Sequence, residues 1–292
     1  MDVPLHPFGL TRTRRLTTRD ERAVLRFLGR HTSQHAYLLG LIARGALSGA
    51  AELTPLVGWF ERGALGAVAS LGANVVLSRA TSPRGVAALA AHARELGVAV
   101  RVAVGPDVEV DQFLGLFGRQ DVRLERAGQV LLEVDARHLA RSARSLRLRP
   151  AQPEELDCVW HLDEDMILEE LGFSPFEEDP QVHRQGCLRR IEERRTWVEG
   201  ELCGPLTFKV DHAAVSPHVV QLSGVFTPPL HRRRGIALQA LGEMCHILLR
   251  EVPRVSLYVN EDNAAARRIY RRLGFREAGR VRSAWLEAGA ER

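Results

Sequence analysis

Val219–Ala237 reads VVQLSGVFTPPLHRRRGIA, and within it the chain changes its structural habit. A β-rich run ends at the breaker pair Pro228-Pro229, and an arginine cluster, Arg232–Arg234, leads into Gly235. Beyond it Leu238, Leu241, Met244, Cys245 and Leu248 recur at helical spacing. A strand over Val219–Phe226 and a helix over Ala237–Arg250 are expected. Such a junction gathers free backbone N–H groups and the positive end of a helix dipole, which together capture phosphate without a dedicated side chain. Gly235 would let a ligand approach the backbone closely, and the arginines add positive charge. A turn with solvated arginines fits this fragment as well.

The rhythm repeats downstream. Val255–Val259 reads as a strand, and Ala264–Leu273 as a helix with Ala266, Ile269, Tyr270 and Leu273 on one face. Asn263 suits the N-cap and Gly274 the C-terminal stop. The N-terminal half shows the same order: strand Asn74–Arg79, helix Pro83–Leu96, strand Val98–Val104, helix Val108–Phe117. Strand, helix, strand predicts a right-handed crossover and a parallel pair in each half.

Two segments together resemble the GNAT superfamily of N-acetyltransferases. Arg232-Arg233-Arg234-Gly235-Ile236-Ala237 is similar to the pyrophosphate-binding pattern R/Q-x-x-G-x-G/A, and VSLYVNEDNAAARRIYRRLGF (Val255–Phe275) resembles the strand, asparagine loop and helix that follow it. The resemblance spans Leu146 to the C-terminus. It implies an α/β (α+β) fold on a mixed sheet, with acetyl-CoA as cosubstrate. Backbone groups of Val225, Phe226 and Thr227 would meet pantetheine, and the amides around Arg233–Ala237, with Arg232, would hold the pyrophosphate. Asn260 and Asn263 would touch the CoA arm. Tyr270 would protonate the departing thiolate, since a phenol is still protonated at neutral pH. A hydrogen-bonded structural tyrosine is the alternative.

An amine must lose a proton before it attacks. The acidic stretch Asp163–Asp179 offers carboxylates, and Leu162, Met166, Glu169 and Glu170 share a helical face. Glu169 and Glu170 are the candidates for holding or deprotonating the amine; a solvated acidic face is the other reading. No cysteine lies in either motif, so direct transfer in a ternary complex is expected. An acyl-CoA-binding sensor without turnover is the alternative function.

The strings MILEELGFSP and TFKVDHAAVSPHVVQLSGVFTPP further resemble a GNAT subgroup with an extra N-terminal domain, to which Val57-Gly58-Trp59, Ala69–Asn74 and Gly105-Pro106 are similar. The N-terminal junction, Arg79-Ala80-Thr81-Ser82-Pro83-Arg84-Gly85, lacks the pyrophosphate spacing, and its second helix has no counterpart of Tyr270. Two tandem GNAT-like domains follow: a degenerate one over 1–140 and a complete one over 146–292. The arginine-rich Arg137–Pro150 reads as a solvated connector between them.

Composition narrows the rest. The 292 residues suit two domains, and the net charge of +4, with very little lysine and abundant arginine, fits an anionic cofactor. Without aromatic residues among the linker arginines, nucleic acid is not an expected partner. No apolar run nears the roughly 20 residues of a membrane helix. Met1–Pro7 has no secretory pattern. The four cysteines are far apart, with no C-x-x-C pair, so no metal is expected, and reduced, mostly buried thiols in a cytoplasm are. The partner would be a small-molecule, peptide or protein amine.

Overall fold

The computed structural model describes residues 11–49, 54–118, 122–141, 145, 147–174 and 179–286. Met1–Pro7, residues 142–144 and 146 of the linker, and residues 175–178 of the acidic stretch lie outside the described residues.

The chain forms two compact units. One holds the described residues up to Val130 together with those from Gly279; the other runs from Leu131 to Ala278. This division falls before Arg137–Pro150 and places the last residues with the first unit. The physical reason is strand pairing: Val281–Trp285 lie antiparallel against Val102–Pro106, which returns the end of the chain to the first unit. The linker is also less solvated than its charge suggests. Its end, Leu148–Pro150, is a strand, and Arg149 there makes a bidentate ion pair with Glu155, only 1% exposed.

The first unit contains β1 (Thr11–Arg15), α1 (Glu21–Leu28), α2 (Ala36–Ala43), β2 (Leu56–Glu61), β3 (Ala64–Ser70), β4 (Asn74–Leu77), α3 (Pro83–Glu95), β5 (Val102–Pro106), α4 (Asp107–Phe117) and much of β6 (Val122–Val134). β1 to β4 pair antiparallel in succession, whereas β4 and β5 are parallel, as the intervening helix predicts. Pro83 opens α3, and Val86, Leu89, Ala90 and Ala93 bury the face that meets Trp59, Phe113 and Leu114.

The second unit contains β7 (Leu148–Pro150), α5 (Leu156–Leu171), α6 (Pro180–Glu192), β8 (Thr196–Glu199), β9 (Phe208–Val215), β10 (Val220–Phe226), α7 (Ile236–Leu248), β11 (Val255–Val259), α8 (Ala264–Arg272) and the start of β12 (Arg276–Leu286). With the end of β6, from Leu131 on, its strands run in the order β6-β11-β10-β9-β8-β7. β10 and β11 are parallel and the pairs from β10 to β7 are antiparallel, giving the expected mixed sheet. α5 and α6 close a core of Val159, Trp160, Leu162, Cys187, Ile191, Val198 and Phe226.

No disulfide joins the four cysteines. Cys187 and Cys245 are buried, but Cys158 and Cys203 are exposed, so the thiols are not mostly buried. Among the described residues no helix is long and apolar enough to cross a membrane, and none of their His, Cys, Asp and Glu side chains form a group that could hold a metal ion.

Candidate active site

The parallel pair β10–β11 is laddered at its start and parts toward its end. Val220 faces Val255, Gln221 faces Ser256 and Leu222 faces Leu257. β10 nevertheless continues to Phe226 and β11 to Val259. Where two parallel strands diverge, their inner N–H and C=O groups become available to a third extended chain. Val225 and Thr227, both half-buried, stand on this stretch. The Phe226 side chain goes into the core of the second unit, 6% exposed.

The loop that follows is shaped for anions. Arg233 has φ +62° and Gly235 φ +78°, so two left-handed residues alternate with right-handed or extended neighbours. This alternation turns successive N–H groups to one side, and α7 begins at Ile236 with first-turn amides that have no acceptor within the helix. A left-handed arginine is costly, on the order of 1–3 kcal/mol, and such strain gathers at binding sites. A Cβ at Gly235 would find nothing nearer than Gln239 Nε2 at 3.8 Å. Glycine is needed there for its φ, not for lack of room.

Arg232 ties the loop to two other candidates. Its Nε donates to the Thr227 carbonyl at 2.9 Å, its guanidinium lies 5.6 Å from the Phe226 ring centroid, and its Nη2 meets Glu169 Oε2 at 2.6 Å. Glu169 is thus engaged with the arginine loop. Glu170, the next residue on α5, acts elsewhere: its charge bears on Tyr270. The two carboxylates that the sequence treats alike have different neighbours.

Tyr270 is fixed by the end of α8. Phe275 N–H donates to the Tyr270 carbonyl at 3.0 Å, and Gly274 N–H to that of Arg271 at 3.1 Å, the bond pattern of a Schellman cap. The Phe275 ring lies 5.7 Å from the Tyr270 ring, supplying the apolar contact that accompanies the motif. Tyr270 is 5% exposed, and burial first, then Glu170 and Cys245, raise its phenol well above the ordinary value. It therefore stays protonated. Asn263 does cap α8, its side chain accepting from Ala266 N–H at 3.0 Å, and the Asn260 carbonyl accepts from Asn263 N–H.

One group of residues escaped the sequence. Lys209 and Asp211 of β9, Asp163 of α5 and Arg190 of α6 form a buried ionic cluster directly behind β10. Lys209 is the only lysine among the 40 basic residues of the chain, and it is 0% exposed. That singularity, together with the K-x-D spacing in the strand FKVDHAAV, was the available signal.

The first unit treats its corresponding junction differently. Ala80 N–H donates to Glu109 Oε1, Arg79 N–H to His35 Nε2, and Thr81 N–H to the Gly66 carbonyl. These three amides between β4 and α3 are taken by the protein's own acceptors, one of them a carboxylate. A Cβ on Gly105 of β5 would lie 2.9 Å from the Leu77 carbonyl of β4, so these strands stay close where β10 and β11 part.

Residues 158–275 match the family model described as "Acetyltransferase (GNAT) family". Solved structures share the fold over nearly the whole chain. One is a GCN5-related N-acetyltransferase from Sphaerobacter thermophilus, at 17% identity and TM-score 0.55, over 97% of this chain and 98% of that one. Another is a GNAT-family acetyltransferase from Colwellia psychrerythraea, at 13% and 0.51, over 94% and 100%. A third is a tandem GNAT protein from the clavulanic acid biosynthesis pathway, at 16% and 0.50, over 97% and 100%. No protein with a curated description matches the sequence.

Proposed function

We propose that the second unit binds acetyl-CoA and transfers its acetyl group directly to an amine. The observation that carries this is the parting of β10 and β11 beyond Leu222 and Leu257, followed at once by the left-handed Arg233–Gly235 loop that opens α7. The diverging strands offer backbone groups to an extended pantetheine arm, and the loop offers amides and guanidinium charge to a pyrophosphate. Arg232, Arg234, Ile236 and Ala237 complete that cradle, and Asn260 and Asn263 lie on the approach to α8.

The chemistry follows from the remaining side chains. Glu169 and Glu170 stand exposed at the end of α5, where they attract a cationic amine. As the amine nitrogen bonds to the thioester carbon and the C–S bond breaks, the amine loses a proton to Glu170 or a water it holds. The backbone N–H of Val225, where β10 bulges out of its ladder with β9, faces the charge that grows on the carbonyl oxygen. Tyr270, kept protonated by burial, gives its proton to the departing thiolate. Transfer is direct in this reading, since Cys187 and Cys245 are buried with thiols pushed up to about 12, and the exposed Cys158 and Cys203 lie outside both motifs.

The first unit is proposed to be a degenerate relative of the second. Three of its junction amides already have acceptors in the protein, and β5 runs close to β4 at Gly105.

The test is calorimetry with acetyl-CoA on the native chain and on Gly235→Glu, followed by acetylation of a panel of small, peptide and protein amines. Glutamate would strain the φ of +78° and set a negative charge beside the pyrophosphate cradle, so binding should fall by more than about 100-fold. Native affinity in Gly235→Glu would remove the loop from the site.

A further inference from the structure

We infer that Lys209 is a positioning residue for acetyl transfer: by holding the Gly224 carbonyl it aims the Val225 N–H of the β10 bulge at the thioester oxygen. This rests on the function proposed above, and it begins from an irregularity in the sheet. Ser223 pairs with Asp211 and Phe226 pairs with Lys209, so Gly224 and Val225 together stand opposite Val210 alone. Two residues facing one define a β-bulge, and Gly224 takes the left-handed conformation, φ +58°, that such a bulge often requires.

The side chains that flank the bulge on β9 meet behind it. Lys209 and Asp211 are two apart in a strand and so point to the same face. Lys209 Nζ lies 2.5 Å from Asp211 Oδ2, 2.7 Å from Asp163 Oδ1 and 3.4 Å from the Gly224 carbonyl oxygen. An ammonium has three N–H donors, and here it has three acceptors. A Cβ on Gly224 would overlap Asp211 Oδ2 and lie 2.8 Å from Lys209 Nζ. The ion pair fills the space a side chain at 224 would need.

The cluster is balanced. Arg190 Nη2 meets Asp163 Oδ2 at 2.5 Å, and Thr196 Oγ1 donates to Asp211 Oδ1 at 2.6 Å. Two cations face two carboxylates. Burial opposes the charge on Lys209 most strongly, yet Asp211 and Asp163 together outweigh it and the ammonium is held protonated. Buried ion pairs contribute little net stability compared with well-packed apolar side chains, so stability alone does not account for such a cluster.

Direction accounts for it. The peptide joining Gly224 to Val225 is planar and trans, so its C=O and N–H point opposite ways. Fixing the oxygen toward Nζ fixes the N–H away from the cluster. The ammonium also polarises that peptide, drawing electron density toward the oxygen and strengthening the N–H as a donor. Lysine suits the task in this arginine-rich chain because it is a compact point charge, whereas a guanidinium is a planar fork.

The test uses the double variant Lys209→Met/Asp211→Asn in the full chain. It removes the grip on Gly224 and leaves Asp163 paired with Arg190, so no buried charge is stranded. Acetyl-CoA labelled with carbon-13 at the thioester carbonyl is bound to each protein and its carbonyl stretch is read by difference infrared spectroscopy. The native protein should lower that frequency relative to free acetyl-CoA. The double variant should return it toward the free value while calorimetric affinity stays within about threefold of native. With an acceptor amine, kcat should fall by up to about 100-fold with KM for acetyl-CoA unchanged. A native-sized carbonyl shift in the variant would overturn the inference and leave the proposed function standing. Absence of acetyl-CoA binding by the native chain would instead strike the function itself, and this inference with it. If the double variant does not fold, Lys209→Arg serves: it keeps the charge, and the same loss of carbonyl shift is expected.

Discussion

In the proposed reaction Tyr270 is the acid and Glu170 its counterpart, and each would take that role from its position. The tyrosine is held by its own backbone, through the bond from Phe275 N–H, and by the ring beside it. Removing only the hydroxyl leaves both contacts in place. Tyr270→Phe should therefore bind acetyl-CoA as the native protein does and melt at nearly the same temperature. Its kcat should fall by roughly 10²–10⁴-fold, the range for a lost general acid or base. Single-turnover kinetics with a competent amine is the measurement. A native rate with chemistry limiting would assign the proton to water. Because burial raises the phenol, Tyr270 remains an acid beyond pH 10, and any basic limb of the rate profile below that must come from the amine or its base.

At the level of elements, much was legible because the signals are local. Pro228-Pro229, Gly235 and the apolar spacing of Leu241, Met244, Cys245 and Leu248 mark the end of β10 and the whole of α7, and the structure buries that face. The same holds for Asn263 and Gly274 around α8. What escaped is non-local. Arg190 finds Asp163 across two helices, and β12 finds β5 far back along the chain, and no periodicity announces either pairing. Glu169 and Glu170 were legible as acidic residues on a helix, but their separate partners were not, since Arg232 lies 63 positions away. The cap of α8 yields a stability prediction. Gly274 has φ +92°, and a Cβ there would overlap the His138 carbonyl oxygen. Gly274→Ala should cost roughly 2–5 kcal/mol, combining left-handed strain with a backbone clash. Urea titration checks it, and a loss below about 1 kcal/mol would mean that the neighbouring segment yields freely.

Over the whole molecule, each unit buries one neutral histidine among its described residues, and this shapes its response to acid. His35 accepts from Arg79 N–H at Nε2 and bonds the Leu28 carbonyl through Nδ1, so its proton sits on Nδ1 and a second has no acceptor to meet. His212 is stacked on Trp197 with Nε2 against Met244 Sδ. Burial above all pushes both down to about 4. The unfolded chain takes up these protons first as the pH falls below the usual imidazole value, so stability is full above it and declines between about 6.5 and 4, by up to roughly 3 kcal/mol for each. Melting temperatures that hold level between pH 7 and 5 would contradict this. The units differ in what they offer a ligand. In the second, strands part before a left-handed loop; in the first, Glu109 occupies the Ala80 amide and the Trp59 ring packs against Gly66 and Gly85, where a Cβ on Gly85 would lie 3.0 Å from it. Clearing the carboxylate alone would leave Trp59, 1% exposed, filling the first turn of α3. Titration of the intact chain should accordingly give one acetyl-CoA per chain, and Glu109→Ala should leave that stoichiometry at one. A second equivalent bound by the native protein would show that the closed β4–β5 junction opens to admit ligand, and the first unit would then be a working site.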